Sequence, residues 1–296
     1  MSPAELLAPR SAWFPRPVAP PGGGTGPDPV TAPLRLICFP YAGGTVSTYR
    51  DWQHHLGERT AVVPVQPPGR GLRLRETPYD DMEPLAEAVA DALTTSQLMV
   101  EPYMLFGHSM GALLAYEVAC VLRRRGAPAP RHLFVSASRA PHLYGDRSDH
   151  TLSDTELREV IRGLGGLGDG DRLGTAYLDR RLPVLRADLR ACERYRWEPR
   201  PPLDCPMTAF SATGDPIAAP QAVEAWRPYT SGSFLRRHLP GGHFFLNNPP
   251  RARLLAHLRA ELDDATAVPP PHREPHPAPT PAPSPRKASR QAPWTY

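Results

Sequence analysis

The chain has 296 residues, 40 of them proline, and a formal net charge of +4. Residues 267–296 supply +3 of that charge (Arg273, Arg286, Lys287 and Arg290 against Glu274), so the rest is nearly neutral and a strongly basic nucleic-acid-binding domain is excluded. No apolar run approaches the length of a membrane span, and no N-terminal stretch has the basic start and apolar core of a signal peptide. The expectation is a soluble, cytoplasmic monomer.

The prolines are unevenly spread. Nine lie in residues 1–33 and ten in residues 267–296. Segments so poor in apolar surface cannot offset the entropy of ordering, so both ends are read as disordered tails. That leaves one domain over residues 34–265, with a C-terminal tail from 266 to 296.

Within the domain, short apolar runs alternate with helical patterns. LRLICFPY (34–41) reads as a strand, and AVVPVQ (61–66) as another, with Pro64 suited to an edge or bend. Leu85, Val89, Ala92 and Leu93 repeat at helical spacing within 83–98, with Pro84 fitting a first turn. YMLF (103–106), HLFVSAS (132–138), MTAFSA (207–212) and FLRRHL (234–239) complete the strands. Helices are expected over about 110–125, 220–229 and 249–264. Strands alternating with helices predict an α/β fold, a mostly parallel sheet with helices on both faces.

Residues 139–203 break the alternation. Ser153 and Glu156 have the spacing of a capping box, followed by Leu157, Val160, Ile161 and Leu164 as one apolar stripe. GLGGLGDG (163–170) interrupts it, and Pro183 is expected to start a second helix with Leu185, Leu189 and Cys192 on one side. This helical insertion between two core strands reads as a lid; ordinary core helices are the alternative. Cys38, Cys120, Cys192 and Cys205 are far apart in sequence and read as free thiols.

Gly107-His108-Ser109-Met110-Gly111 fits G-x-S-x-G, weak evidence alone but here preceded by a strand and followed by an apolar helix. A serine on such a turn lifts its hydroxyl above the sheet edge, while side chains at 107 and 111 would collide with the packed strand and helix. The hydroxyl needs a base. His132, His142, His150, His238, His243 and His257 all follow Ser109 in the domain. His243, on the glycine-flexed loop LPGGHFFL after a strand, is the choice, because ligands meet open α/β sheets at the carboxyl ends of strands. Asp215, in SATGDP after another strand, is the expected acid. Asp204 stands at the wrong end of that strand and Asp188 lies in the insertion. An oxyanion would be held by the N–H groups of Met110 and, from the loop FPYAGG (39–44), of Ala42, with Tyr41 as second choice.

LICFPYAGG, PVQPPGRGLRLRE, PYMLFGHSMGALLAYEVA, LSDTEL, LPVLRADLRACERY, TGDPIAAPQAVEAW and LPGGHFFL follow one another along residues 33–264. Together they resemble the discrete type II thioesterases of modular polyketide and nonribosomal peptide synthesis. Ala212 stands where that family often has glycine, three residues before the acid, and the proline-rich C-terminal tail lies outside the pattern. The resemblance implies an α/β-hydrolase with a small helical lid. It implies hydrolysis of acyl groups from the phosphopantetheine thiol of acyl or peptidyl carrier proteins through an acyl-Ser109 intermediate, with no metal and no cofactor of its own. The partner would be a carrier domain of a synthetase. Arg70, Arg73 and Arg75 could meet an acidic carrier or its phosphate, or simply be solvated. A serine esterase acting on small oxygen esters and a non-catalytic binding protein on the same fold remain as alternatives.

Overall fold

The computed structural model describes residues 12–15, 26–100, 102–165 and 175–267. Six strands form one parallel sheet: β1 (Leu34–Phe39), β2 (Thr60–Pro64), β3 (Tyr103–His108), β4 (Leu133–Ser136), β5 (Met207–Ala212) and β6 (Phe234–Leu239), in the order β2-β1-β3-β4-β5-β6. The helices are α1 (Trp52–Leu56), α2 (Met82–Thr95), α3 (Met110–Arg124), α4 (Asp154–Gly163), α5 (Thr175–Arg194), α6 (Pro220–Glu224) and α7 (Arg251–Ala267). β2 is an edge strand, which tolerates the missing donor of Pro64.

Successive strand residues point to opposite faces, and the core divides accordingly. Ile37, Leu105, Val135 and Ala209 pack on the face that carries α2 and α3. Cys38, Phe106, Phe134 and Phe210 pack on the opposite face, against Trp52 and Leu56 of α1 and Leu254, Leu258 and Leu262 of α7. Both faces are apolar because both are covered, as a parallel sheet requires. Cys38, Cys120, Cys192 and Cys205 are all buried and free.

The helical insertion between β4 and β5 shows the Ser153–Glu156 capping box at the start of α4. Its second helix does not begin at Pro183. α5 starts at Thr175 and runs through the proline. Pro183 lacks the N–H that would bond the Asp179 carbonyl, and buried Leu182 and Val184 on either side hold the helix in place instead. The glycine-rich run expected at 163–170 lies outside the described residues from 166 onward. The helix expected over 220–229 divides into α6 and a 3-10 turn, Arg227–Tyr229, since Pro228 cannot donate to the Glu224 carbonyl.

Parts of the segment read as an N-terminal tail are packed. Gln66 N–H donates to the Trp13 carbonyl at 2.8 Å, and the Arg73 guanidinium sits 4.0 Å from the Trp13 ring centroid. Ala32 is buried, and Arg35, fully buried in β1, donates to the carbonyls of Pro29 and Val30. This stretch is held because it supplies the acceptors that a buried cation needs. Residues 1–11, 16–25 and 268–296 lie outside the described residues. Among the described residues no helix is long and apolar enough to cross a membrane.

Candidate active site

β3 ends at His108 and α3 begins at Met110, so Ser109 alone makes the turn. Its φ of 55° and ψ of −121° are a left-handed conformation that a non-glycine residue rarely adopts and that costs about 1–3 kcal/mol. The flanking glycines have a steric reason. A methyl on Gly107 would overlap the Gly111 carbonyl, and one on Gly111 would overlap the carbonyls of Phe39 and Pro40. β3, α3 and the end of β1 therefore approach more closely than any side chain permits. The N-terminus of α3 adds its positive dipole end at the same place.

Ser109 Oγ lies 3.0 Å from His243 Nε2, and His243 Nδ1 lies 2.9 Å from Asp215 Oδ2. Asp215 follows β5 and His243 follows β6. The Gly214 N–H donates to the Gly241 carbonyl at 2.8 Å, which ties the two loops together. The other Asp215 oxygen, Oδ1, accepts the N–H groups of Ile217 and Ala218 at 2.8 and 3.0 Å. Burial alone would raise the Asp215 pKa. The hydrogen bond and charge of His243, with the two backbone donors, outweigh it and hold the carboxyl below its ordinary value.

The other histidines that follow Ser109 are engaged elsewhere. His132 stacks on Phe134 and bonds Thr208, His142 bonds Tyr229, His150 pairs with Glu193, and His238 bonds Ser211. His257 lies within α7. Asp204 accepts the Ser231 hydroxyl at 3.1 Å.

His108 occupies a variable position of the serine motif, yet it touches the site. It is fully buried, its Nδ1 lies 2.9 Å from Ser136 Oγ and its Nε2 lies 3.0 Å from the His243 carbonyl. Burial, reinforced by His243, pushes its pKa well down, so the ring is neutral. With Nε2–H donating to the His243 carbonyl, Nδ1 accepts the Ser136 hydroxyl. The only signal of this role in the sequence is adjacency to Ser109.

Ala42, Met110 and Ser109 line one pocket together. A cavity opens from Ser109 and His243 between α4 and α5. Its wall includes the whole expected stripe, Leu157, Val160, Ile161 and Leu164, together with Leu185 and Leu189. Of the stripe, only Leu157 is fully buried; Val160 and Ile161 are half-buried against the cavity, and Leu164 also packs on the core.

Arg70 and Arg73 are not offered to a partner. Arg70 is 4% exposed and grips Asp188 with both guanidinium arms, at 2.8 and 2.7 Å. Arg73 pairs with Glu76 at 2.6 Å and donates to the Gln66 carbonyl. The 3-10 turn at Gly71–Arg73, in which residues three apart share a face, turns these two arginines inward and leaves Leu72, Leu74 and Arg75 exposed. Among the described residues no group of three or more His, Cys, Asp or Glu side chains could hold a metal ion.

The family model for the thioesterase domain matches residues 34–262. This chain belongs to the thioesterase family. It is a hydrolase of the α/β-hydrolase fold. The structure of RedJ, the thioesterase from the prodiginine biosynthetic pathway in Streptomyces coelicolor, superposes with a TM-score of 0.78. The two are 78% identical, over 86% of this chain and 100% of that one. The gramicidin S biosynthesis protein GrsT of Aneurinibacillus migulanus is 37% identical over 216 residues, 73% of this chain and 84% of that protein. A Brevibacillus parabrevis protein named linear gramicidin dehydrogenase LgrE is 39% identical over 236 residues, 78% of this chain and 88% of that one. Its name has no counterpart in the motifs of this thioesterase, whose β1 loop reads FPYAGG and not the G-x-G-x-x-G of a dinucleotide site. The discrete thioesterases of nonribosomal peptide and polyketide pathways are thus its relatives.

Proposed function

We propose that this thioesterase hydrolyses acyl groups from the phosphopantetheine thiol of carrier domains, removing stalled or misprimed units from a synthetase in the cytoplasm. The observation that carries the reading is the line Ser109–His243–Asp215, at 3.0 and 2.9 Å, beneath an apolar cavity. A family resemblance supplies the carrier; the residues supply the chemistry.

His243 Nε2 takes the Ser109 proton as Oγ attacks the thioester carbonyl. The carbonyl oxygen becomes an oxyanion held by the N–H groups of Met110 and Ala42, at the start of α3. The C–S bond breaks and the pantetheine sulfur receives the proton from Nε2. The acyl group stays on Ser109. Nε2 then takes a proton from water, whose oxygen attacks the acyl carbon, and the bond between the acyl carbon and Oγ breaks as the proton returns to Oγ. Asp215 holds the Nδ1–H tautomer and stabilises the imidazolium. The cavity between α4 and α5 receives an aliphatic acyl chain.

The test is mass spectrometry of acyl-loaded carrier proteins incubated with the enzyme and with Ser109→Ala. Loss of acyl mass with the wild type alone is expected. No loss from any carrier, with turnover confined to oxygen esters, would sink the carrier reading in favour of a serine esterase.

A further inference from the structure

The loop after β1 is held in place by charge from the helical insertion. The Gly43 N–H donates to Asp188 Oδ2 at 2.7 Å, across 145 residues of sequence. Asp188 belongs to α5 and is 1% exposed. The same oxygen accepts Arg70 Nη1, and Oδ1 accepts Nη2. Arg70 Nη1 also reaches the Gly44 carbonyl at 3.3 Å, and Arg181 of α5 donates to the Gly43 carbonyl. Gly43 has φ of +69°, and a methyl there would lie 3.3 Å from Leu185 Cβ, so α5 rests almost on the loop backbone. Both faces of Gly43 are thus bonded to one helix, and Ala42 is its neighbour.

We infer that Asp188 and Arg70 are positioning residues for the oxyanion site, coupling the docking of α5 to the aim of the Ala42 N–H. The inference rests on the acyl-Ser109 reading above. Asp188 fixes the peptide plane between Ala42 and Gly43, since its carboxylate accepts the N–H of that plane. The preceding plane, which carries the Ala42 N–H, is pinned through the Tyr41 carbonyl by the Gly44 N–H at 2.7 Å, and Arg70 braces Gly44 in turn. Arg70 neutralises a carboxylate that would otherwise oppose an oxyanion forming next to it, and braces the following carbonyl. A buried pair holding a backbone turn is a costly arrangement if stability were its only role, since apolar residues of similar volume are often as stable or more so. Its effect falls on the transition state: the substrate's ground-state carbonyl needs little from the donor, and the oxyanion needs it fully.

The test separates aim from stability. The enzyme, Asp188→Asn and the double variant carrying Arg70→Met and Asp188→Leu are compared on a p-nitrophenyl acyl ester, with thermal unfolding of each. An alkyl boronic acid, which forms a tetrahedral adduct on the serine, is titrated against each, as is the carboxylic acid product. Asp188→Asn is expected to lower kcat about 10- to 100-fold, as misplacing one donor does, with KM within about threefold. Boronic acid affinity should fall by the same factor and product affinity should hold. The double variant should regain the wild-type Tm and keep the low kcat. Wild-type kcat and boronic acid affinity in Asp188→Asn would overturn the inference, as would a double variant whose kcat returns with its Tm. Should the double variant not fold, Asp188→Asn decides alone. Failure of the parent reading shows elsewhere, as undiminished turnover by Ser109→Ala.

Discussion

Replacing Asp215 by asparagine isolates the one thing the carboxylate does that an amide cannot. The amide would keep an oxygen for the Ile217 and Ala218 N–H groups, now bonded at 2.8 and 3.0 Å. Its NH2 would replace the Oδ2 that lies 2.9 Å from His243 Nδ1. An NH2 group donates, so Nδ1 must accept and the ring proton moves to Nε2. Nε2–H then faces Ser109 Oγ at 3.0 Å and cannot take its proton. Tautomer reversal of this kind costs about 10⁴ in kcat, roughly 5 kcal/mol of transition-state stabilisation. Stability should change little, because both backbone donors stay satisfied. Asp215→Ala provides the contrast. It strands the buried Ala218 N–H, at about 1–3 kcal/mol, and the half-buried Ile217 N–H at less, and should lower Tm by several degrees as well as kcat. Steady-state hydrolysis of an acyl thioester, with thermal unfolding of all three proteins, reads both quantities. Asp215→Asn retaining a tenth or more of wild-type kcat would refute the tautomer argument.

Three further outcomes follow from the packing. Burial lowers the His132 pKa from 6.5 to about 4, so below pH 6.5 the unfolded chain binds a proton that the native protein refuses. Stability should fall by roughly 3 kcal/mol between pH 6.5 and 4 from this group, then level off, and His132→Gln should flatten the slope in denaturant melts. Gly111→Ala forces a methyl into the Phe39 and Pro40 carbonyls. It should cost about 1–3 kcal/mol in chemical denaturation and lower kcat, since the displaced loop carries Ala42; an unchanged melt would contradict the close approach. Each methylene entering the cavity between α4 and α5 should raise kcat/KM up to about fourfold, from about 0.8 kcal/mol of burial. Ile161→Lys should flatten that series, and equal slopes for the two proteins would show that acyl chains lie elsewhere.

The strands and the serine turn are legible in the sequence because their causes are local. Apolar runs, a nucleophile between glycines, and loops at strand ends need only neighbours along the chain. The α4 stripe is legible as a stripe, but what it faces is not. Leu157, Val160 and Ile161 have one periodicity whether they cover a core or a cavity, and only the placement of α5 decides between them. Arg70 escapes a sequence reading for a similar reason. An arginine in an arginine-rich run reads as solvated until an acid 118 residues away meets it. That acid is Asp188, which its place in the insertion removes from the candidates for the catalytic carboxylate. Pro183 misleads through a sound rule, since a first-turn proline is favoured, but tertiary packing carries α5 through it. His108 carries no pattern at all; its role depends on where His243 turns its carbonyl.

The strain at Ser109 is sustained by the sheet. Two non-glycine residues have positive φ among those described, Ser109 at 55° and Ala137 at 47°. They follow the ends of neighbouring strands β3 and β4. The Ser109 N–H donates to the Ser136 carbonyl at 2.8 Å, and the Ala137 N–H to the Phe210 carbonyl at 2.9 Å. Each strained residue therefore continues the parallel ladder one bond past its strand. Relaxing either φ would break a buried backbone bond, which costs as much as the strain itself. Thirteen of the fifteen residues of α3 are buried directly behind Ser109, so the helix cannot shift to relieve the turn. The same order then explains why the hydroxyl points at His243. With β3, β4, β5 and β6 adjacent, the turn after β3 and the loops after β5 and β6 open on one edge. Gly214 bonding Gly241 closes the last gap between acid and base. The nucleophile's geometry is thus a property of strand order and helix burial, and a substitution that loosens α3 should reach the hydroxyl before it unfolds the protein.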